Sequence, residues 1–284
     1  MGLFDKLTGD SSSKTENLVE KTFDPIVIDS QDVLKELKNV AASNNLPLER
    51  IDFKLLKINT QYKTKESEEW EDLGEEKKAL MEDNTFYLNP DLQIKQHFKI
   101  EIFDANQNET LDSIPDLSLG ANKNLTKVVI TVKKSLDINY SNTFEKSLIE
   151  AINKKKIRAN IFVGFREGIM HKEVKKIALA VRINNLIQND VTFVVMEGID
   201  PVPPVNDALI MHYKKKIKTE DSQGRKDYSR RGYLLAVDNG ETIIEYIKPQ
   251  EGMPGKTCRG IYLPVKEPKI DNEMTINITD AILK

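Results

Sequence analysis

The chain has 284 residues, 39% of them hydrophobic and 31% charged, which is room for two ordinary domains and the composition of a globular, highly charged protein. Lys and Arg number 42 against 45 Asp and Glu, a net charge of −3, so bulk charge makes no case for nucleic acid. One cysteine, Cys258, excludes an internal disulfide and a multi-cysteine zinc site, and no apolar run approaches the ~20 residues that span a bilayer.

Residues 1–22, with "GDSSSKTEN" and little apolar periodicity, predict a disordered tail. "PIVID" predicts a short strand, and Asp29 or Ser30 is placed to cap the helix after it. Val33, Leu34, Leu37, Val40 and Ala41 fall on one helical face, Asn44-Asn45 ends that helix, and Pro47 opens a short second turn. "DFKLLKINTQY" then reads as a strand. Residues 65–83 carry nine acidic side chains against three lysines, the pattern of a solvated helix or linker in which Trp70 and Leu73 are the anchors.

From Thr85 to Ser135 the apolar period shortens toward two, giving strands at "TFYLN", "KQHFKIEIFD" and "LTKVVITVKKS". Phe144, Leu148, Ala151 and Ile152 mark a helix that Ser141 or Thr143 can cap, and "IRANIFVGF" reads as a strand after it. Val174, Ile177, Ala178 and Val181 mark a second helix before the strand "VTFVVMEG". That order predicts a small module with a parallel or mixed sheet. Beyond Gly198 a proline-stiffened link leads into strands, and Asp238-Asn239-Gly240 is a hairpin signal between two of them. "TINITDAILK" is strand-like with no terminating signal, so the expectation is a piece of a longer protein.

Three stretches raise chemistry. "EGMPGKTCRG" at 251–260 holds the Gly-Lys-Thr that ends a Walker A loop. That loop needs a glycine where Gln250 stands, and it must run into a helix. Pro254 removes an amide and "CRGIYLPV" follows. Met253-Pro254-Gly255-Lys256 suits a type II turn instead, and no nucleotide is expected there. Residues 212–232 hold eight Lys and Arg against three acidic groups with two tyrosines between, a solvated loop or a polyanion track through Arg225, Lys226, Arg230 and Arg231. His171-Lys172-Glu173 has the spacing of a zinc deaminase but lacks the paired cysteines, and no other catalytic set stands out.

Residues 197–265 resemble the flagellar assembly protein A family, a bacterial domain long catalogued as of unknown function. The resemblance rests on "EGIDPVPPVNDALI", "RKDYSRRG" and "LLAVDNGETIIEYIKPQEGMPGKTCRGIYLPV". The family's Gly-x-x-Pro start is matched by Gly198 and Pro201, and its glycine–proline run by Pro249, Gly252, Pro254, Gly255 and Gly260. Two positions depart from the pattern, where Pro204 and Asn206-Asp207 stand for a glycine and an Asp-Gly pair. Residues 23–62 resemble, more weakly, the Jag N-terminal domain, a strand-helix-strand module.

The resemblance implies a cytoplasmic bacterial protein that acts in flagellar assembly or placement through contacts with other proteins. It carries no catalytic, cofactor or metal residues to transfer. The sequence as a whole predicts an α+β fold. One domain spans 23–135 (Jag-like at 23–62, acidic linker at 65–83, strands at 85–135), and a family core spans 137–284, β-rich after 198. Val33, Leu37, Val40 and Trp70 are the candidate protein contacts; RNA or polyanion binding through 212–232 is the alternative.

Overall fold

The computed structural model describes residues 22–67, 69–107, 114–212, 239, 240, 242 and 244–271. The expected tail at 1–22, apart from its last residue, and the C-terminal "TINITDAILK" lie outside them. The fold is α+β: helices pack on antiparallel sheets, and the chain divides into two compact units.

The first unit takes residues up to Lys57 and returns at Phe98. Strand β1 (Ile26–Ser30), helix α1 (Val33–Asn44) and the start of β2 (Ile51–Lys63) give the expected strand-helix-strand order. Asp32, rather than Asp29 or Ser30, caps α1: its carboxylate accepts the Lys35 N–H at 3.0 Å, because β1 still holds Asp29 and Ser30 in the sheet. Asn45 ends the helix in the left-handed conformation, φ 54°. The second half of β4 (Gln93–Asp104) pairs antiparallel with β1, with Ile28 opposite Ile100. Val33, Leu37, Val40 and Ala41 are buried, as are Ile51, Phe53, Phe98, Ile100 and Ile102 from the strands. Arg50 closes this unit with an ion pair of 2.5 Å to the buried Asp104.

The second unit holds the remainder. Its acidic stretch is not a plain solvated helix. It folds as a two-residue strand β3 (Glu71–Asp72) on β2, a 3₁₀ turn and helix α2 (Lys78–Glu82), burying Leu73 and Met81 while its carboxylates face water. "TFYLN" is not a strand either. Asp83 accepts the Thr85 N–H at 2.8 Å and starts the short helix α3 (Asn84–Tyr87), which buries Tyr87 completely. A strand at β5 (Leu117–Ala121), unmarked by the sequence, pairs with β6 (Lys127–Val132), and β6 pairs with β7 (Val191–Glu197). All three run antiparallel, which corrects the parallel or mixed expectation.

Helices α4 (Phe144–Arg158) and α5 (Gly168–Asn184) bury Phe144, Leu148, Ile152, Val174, Ile177, Ala178 and Val181 in the core that includes this sheet's Val128, Ile130, Val132 and Val195. No strand separates them. Residues 161, 163 and 165 are buried in alternation as a strand would bury them, but Asn160, Gly164 and Arg166 take positive φ and break the ladder. A side chain replaces the missing strand partner: Gln96 donates to the Val163 carbonyl at 2.7 Å and accepts its N–H at 3.0 Å. Strands β8 (Ala208–Met211) and β9 (Ile244–Ile247) pair antiparallel, and Gly240 takes φ 87° in the Asn-Gly turn. The first arm of that predicted hairpin and most of the basic 212–232 stretch lie outside the described residues.

Candidate functional site

The glycine–proline run builds an unusual ribbon. Residues 199, 202 and 205 each exchange both backbone hydrogen bonds with 256, 253 and 250, at 2.8 to 3.0 Å. An antiparallel ladder repeats its reciprocal pairs every two residues, whereas this one repeats every three, the period of polyproline II. Pro201 and Pro204 occupy positions between the bonded ones, where a missing N–H costs nothing. The glycines sit where the two backbones touch. A Cβ on Gly255 would overlap the Ile199 carbonyl and Pro201, one on Gly252 the Val202 carbonyl and Pro204, and one on Gly198 the Lys256 carbonyl.

Gly255-Lys256 is therefore strand β10 (Gly255–Lys256), paired with β11 (Tyr262–Leu263), and the type II turn expected at 253–256 is absent. Gly255 has no positive φ; the left-handed glycine of this stretch is Gly260, φ 75°, whose Cα lies against the Phe162 ring. Close backbone approach, not turn geometry, requires glycine at 255.

Lys256 does not reach solvent. Its ammonium is fully buried and donates to the carbonyls of Asn89 and Leu92, each at 2.9 Å, with the Tyr87 ring 5.5 Å away. Burial pulls it down to about 8. Tyr87 donates its hydroxyl to the Thr257 carbonyl at 2.7 Å, and burial pushes that hydroxyl's pKa up. The Arg166 guanidinium lies 4.7 Å from the same ring and donates to the carbonyls of Glu197 (2.6 Å) and Met81 (3.1 Å) and to Asn84 Oδ1 (2.8 Å). Two cations thus hold the α2–α3 segment through its backbone oxygens.

A second buried lysine lies nearby in the same unit. Lys156 is fully buried, pairs with Glu167 and donates to the Val195 carbonyl at 3.3 Å. Desolvation lowers its pKa, with the Glu167 charge opposing. Glu167 also accepts the Gly164 N–H at 2.9 Å. Cys258 is buried with its thiol raised to about 11 by desolvation, so it is not an activated nucleophile. Phe144, Leu148, Ile152 and Lys156 recur every four residues, so the apolar stripe of α4 points straight at this lysine. Tyr87 gives no such signal because "TFYLN" reads as a strand, and Arg166 gives none because it falls just past "IRANIFVGF", between that strand reading and the next helix.

Chemically, these donors end on carbonyl oxygens, one amide oxygen and one carboxylate, and no group of metal-binding side chains occurs among the described residues. The arrangement holds backbone in place; it leaves no open donor set for a phosphate. Of the candidate protein contacts, Val33 and Leu37 are fully buried and Val40 nearly so, because α1 packs this face into its own unit; they are core rather than contact surface. Trp70 stays 37% exposed, with Lys95 Nζ 4.0 Å from its ring. Pro249 precedes the ribbon's last bonded pair, and Pro254 lies between bonded 253 and 256. Arg225, Lys226, Arg230 and Arg231 lie outside the described residues.

Residues 117–280 match the model of a family described as the Flagellar Assembly Protein A N-terminal region. The match covers the ribbon, the β5–β6–β7 sheet and both long helices. No curated protein and no solved structure matches the chain.

Proposed function

Because the chain belongs to the flagellar assembly protein A N-terminal region family, we propose that it serves flagellar assembly or placement as a non-enzymatic cytoplasmic adaptor, binding other proteins through its surface. Family membership over more than half of the chain carries this reading. The site supports the non-enzymatic part: its lysines and its thiol are buried and engaged, Lys256 on the carbonyls of Asn89 and Leu92, Lys156 on Glu167 and the Val195 carbonyl, and Cys258 on the Met196 carbonyl. The strand-helix-strand order at 26–63 fits a Jag-like module. Trp70, still partly exposed, is the contact residue that remains available to a partner.

The test is deletion of the gene followed by flagella counts and swimming assays. Missing or misplaced flagella, restored by the full chain, are expected. Normal number and placement without the gene would overturn the reading. A chain carrying Trp70→Ala is expected to fold normally and to restore flagella incompletely.

A further inference from the structure

The outward ridge of α5 combines charge and apolar exposure in a way the core does not require. Lys172, Lys176, Leu179 and Ile183 follow one another at helical spacing on the side opposite the buried Val174, Ile177 and Val181. Lys175 and Arg182 flank that ridge, and both are exposed. Past the helix end, Ile138 donates to the Asn185 carbonyl at 2.9 Å and Ser135 bridges Ile187, which sets Leu136 beside the last turn of α5. Leu136 is 80% exposed, Ile183 70% and Leu179 58%: the three most exposed large apolar side chains among the described residues share one corner.

The charge at that corner runs against the chain's net −3. Lys133 is paired with Asp190 at 2.8 Å and Lys176 with Glu173 at 2.6 Å, and Asp137 is the exposed acidic neighbour of Leu136. Lys134, Lys172, Lys175 and Arg182 remain as positive excess. Scattered exposed apolar residues are ordinary, but a cluster rimmed by polar groups with a net positive excess marks a binding surface. Cations alone would fit any polyanion. Leucine and isoleucine at the tip add nothing to phosphate contacts along a nucleic acid, but they enter the acyl boundary of a bilayer whose headgroups attract the lysines.

We propose that the outward ridge of α5, with Leu136, docks on an anionic lipid surface as a peripheral contact. The test is co-sedimentation of the full chain with phosphatidylcholine vesicles, with and without phosphatidylglycerol. Binding is expected with the anionic lipid, weak or none without it, and falling as salt is added. A chain carrying Leu136→Ser, Leu179→Ser and Ile183→Ser together is expected to bind at least roughly tenfold more weakly. So is one carrying Lys172→Glu and Lys175→Glu. All five positions are exposed, and circular dichroism checks that both variants fold. The basic 212–232 stretch is intact in both, so binding that survives them belongs elsewhere and overturns the assignment. Equal binding to neutral vesicles, or no binding to anionic ones, overturns it also. Binding lost with the glutamates but kept with the serines identifies a general polyanion surface instead and rejects the lipid contact.

Discussion

Lys256 is a buried cation whose partners are two carbonyls and an aromatic face, with no carboxylate in salt-bridge range among the described residues. Its folded pKa of about 8 lies below the ~10.4 of an unfolded lysine. Between those values the unfolded chain binds a proton that the folded chain does not, so the contribution of this group to stability rises with pH across that window. Below pH 8 the cost of burying the charge is fully present. Lys256→Met is expected to remove that rise: denaturant midpoints measured from pH 7.5 to 10 should climb less in the variant than in the parent, and parallel curves would refute the assignment. Lys156 presents the opposite case, a buried lysine with a counter-ion. Glu167→Gln removes the counter-charge of this buried lysine, and a loss of about 3 kcal/mol in unfolding free energy is expected. The double variant Lys156→Met, Glu167→Leu should recover most of it, keeping a deficit of about 1 kcal/mol because the Gly164 N–H loses its acceptor.

Among elements, the ribbon at 198–205 and 250–256 depends on what glycine lacks. Gly255→Ala places a methyl group on the Ile199 carbonyl and is expected to cost about 2 kcal/mol or more, read as a lowered denaturant midpoint. Gly74→Ala is the control: nothing lies within 4 Å of its Cβ position and its φ is −67°, so it should stabilise by about 0.4 to 1 kcal/mol. A ribbon variant as mild as the control would refute the close-approach account. The glycines and prolines of this ribbon were legible in the sequence as a framework, and so were the helix faces of α1, α4 and α5. Their physical use was not, because a Pro-Gly pair signals a turn locally and only the facing strand shows that it is a point of contact. The same limit hid residues 161–165, whose alternating burial is that of a strand while a glutamine side chain supplies the hydrogen bonds. It also made Val33 and Leu37 look like a contact surface, since an apolar helix face reads alike whether its own sheet or a partner covers it.

At the scale of the molecule, the family match and the folded unit do not share a boundary. The match opens at residue 117, the first of β5, but the core that holds β6, β7, α4 and α5 also contains Tyr62, Leu73, Met81, Tyr87 and Leu92. Tyr87 is among the largest fully buried side chains, and Lys256 and Arg166 direct their donors at carbonyls of residues 81–92. A chain cut to residues 114–284 would keep every residue of the family motif and lose those five core side chains. It would also leave the Lys256 ammonium without both of its acceptors, a buried charge without compensation. Such a piece is expected to unfold at lower temperature and lower denaturant than the full chain and to bind a hydrophobic dye that the full chain excludes. A cut after residue 62 is expected to destabilise what is left, because it strips β1, α1 and nearly all of β2 from the buried Phe98, Ile100 and Ile102 of β4. If residues 114–284 instead unfolded cooperatively at the parent's midpoint, the segment at 62–92 would be a passenger on the core, and the two cations that grip it would have no part in holding the fold.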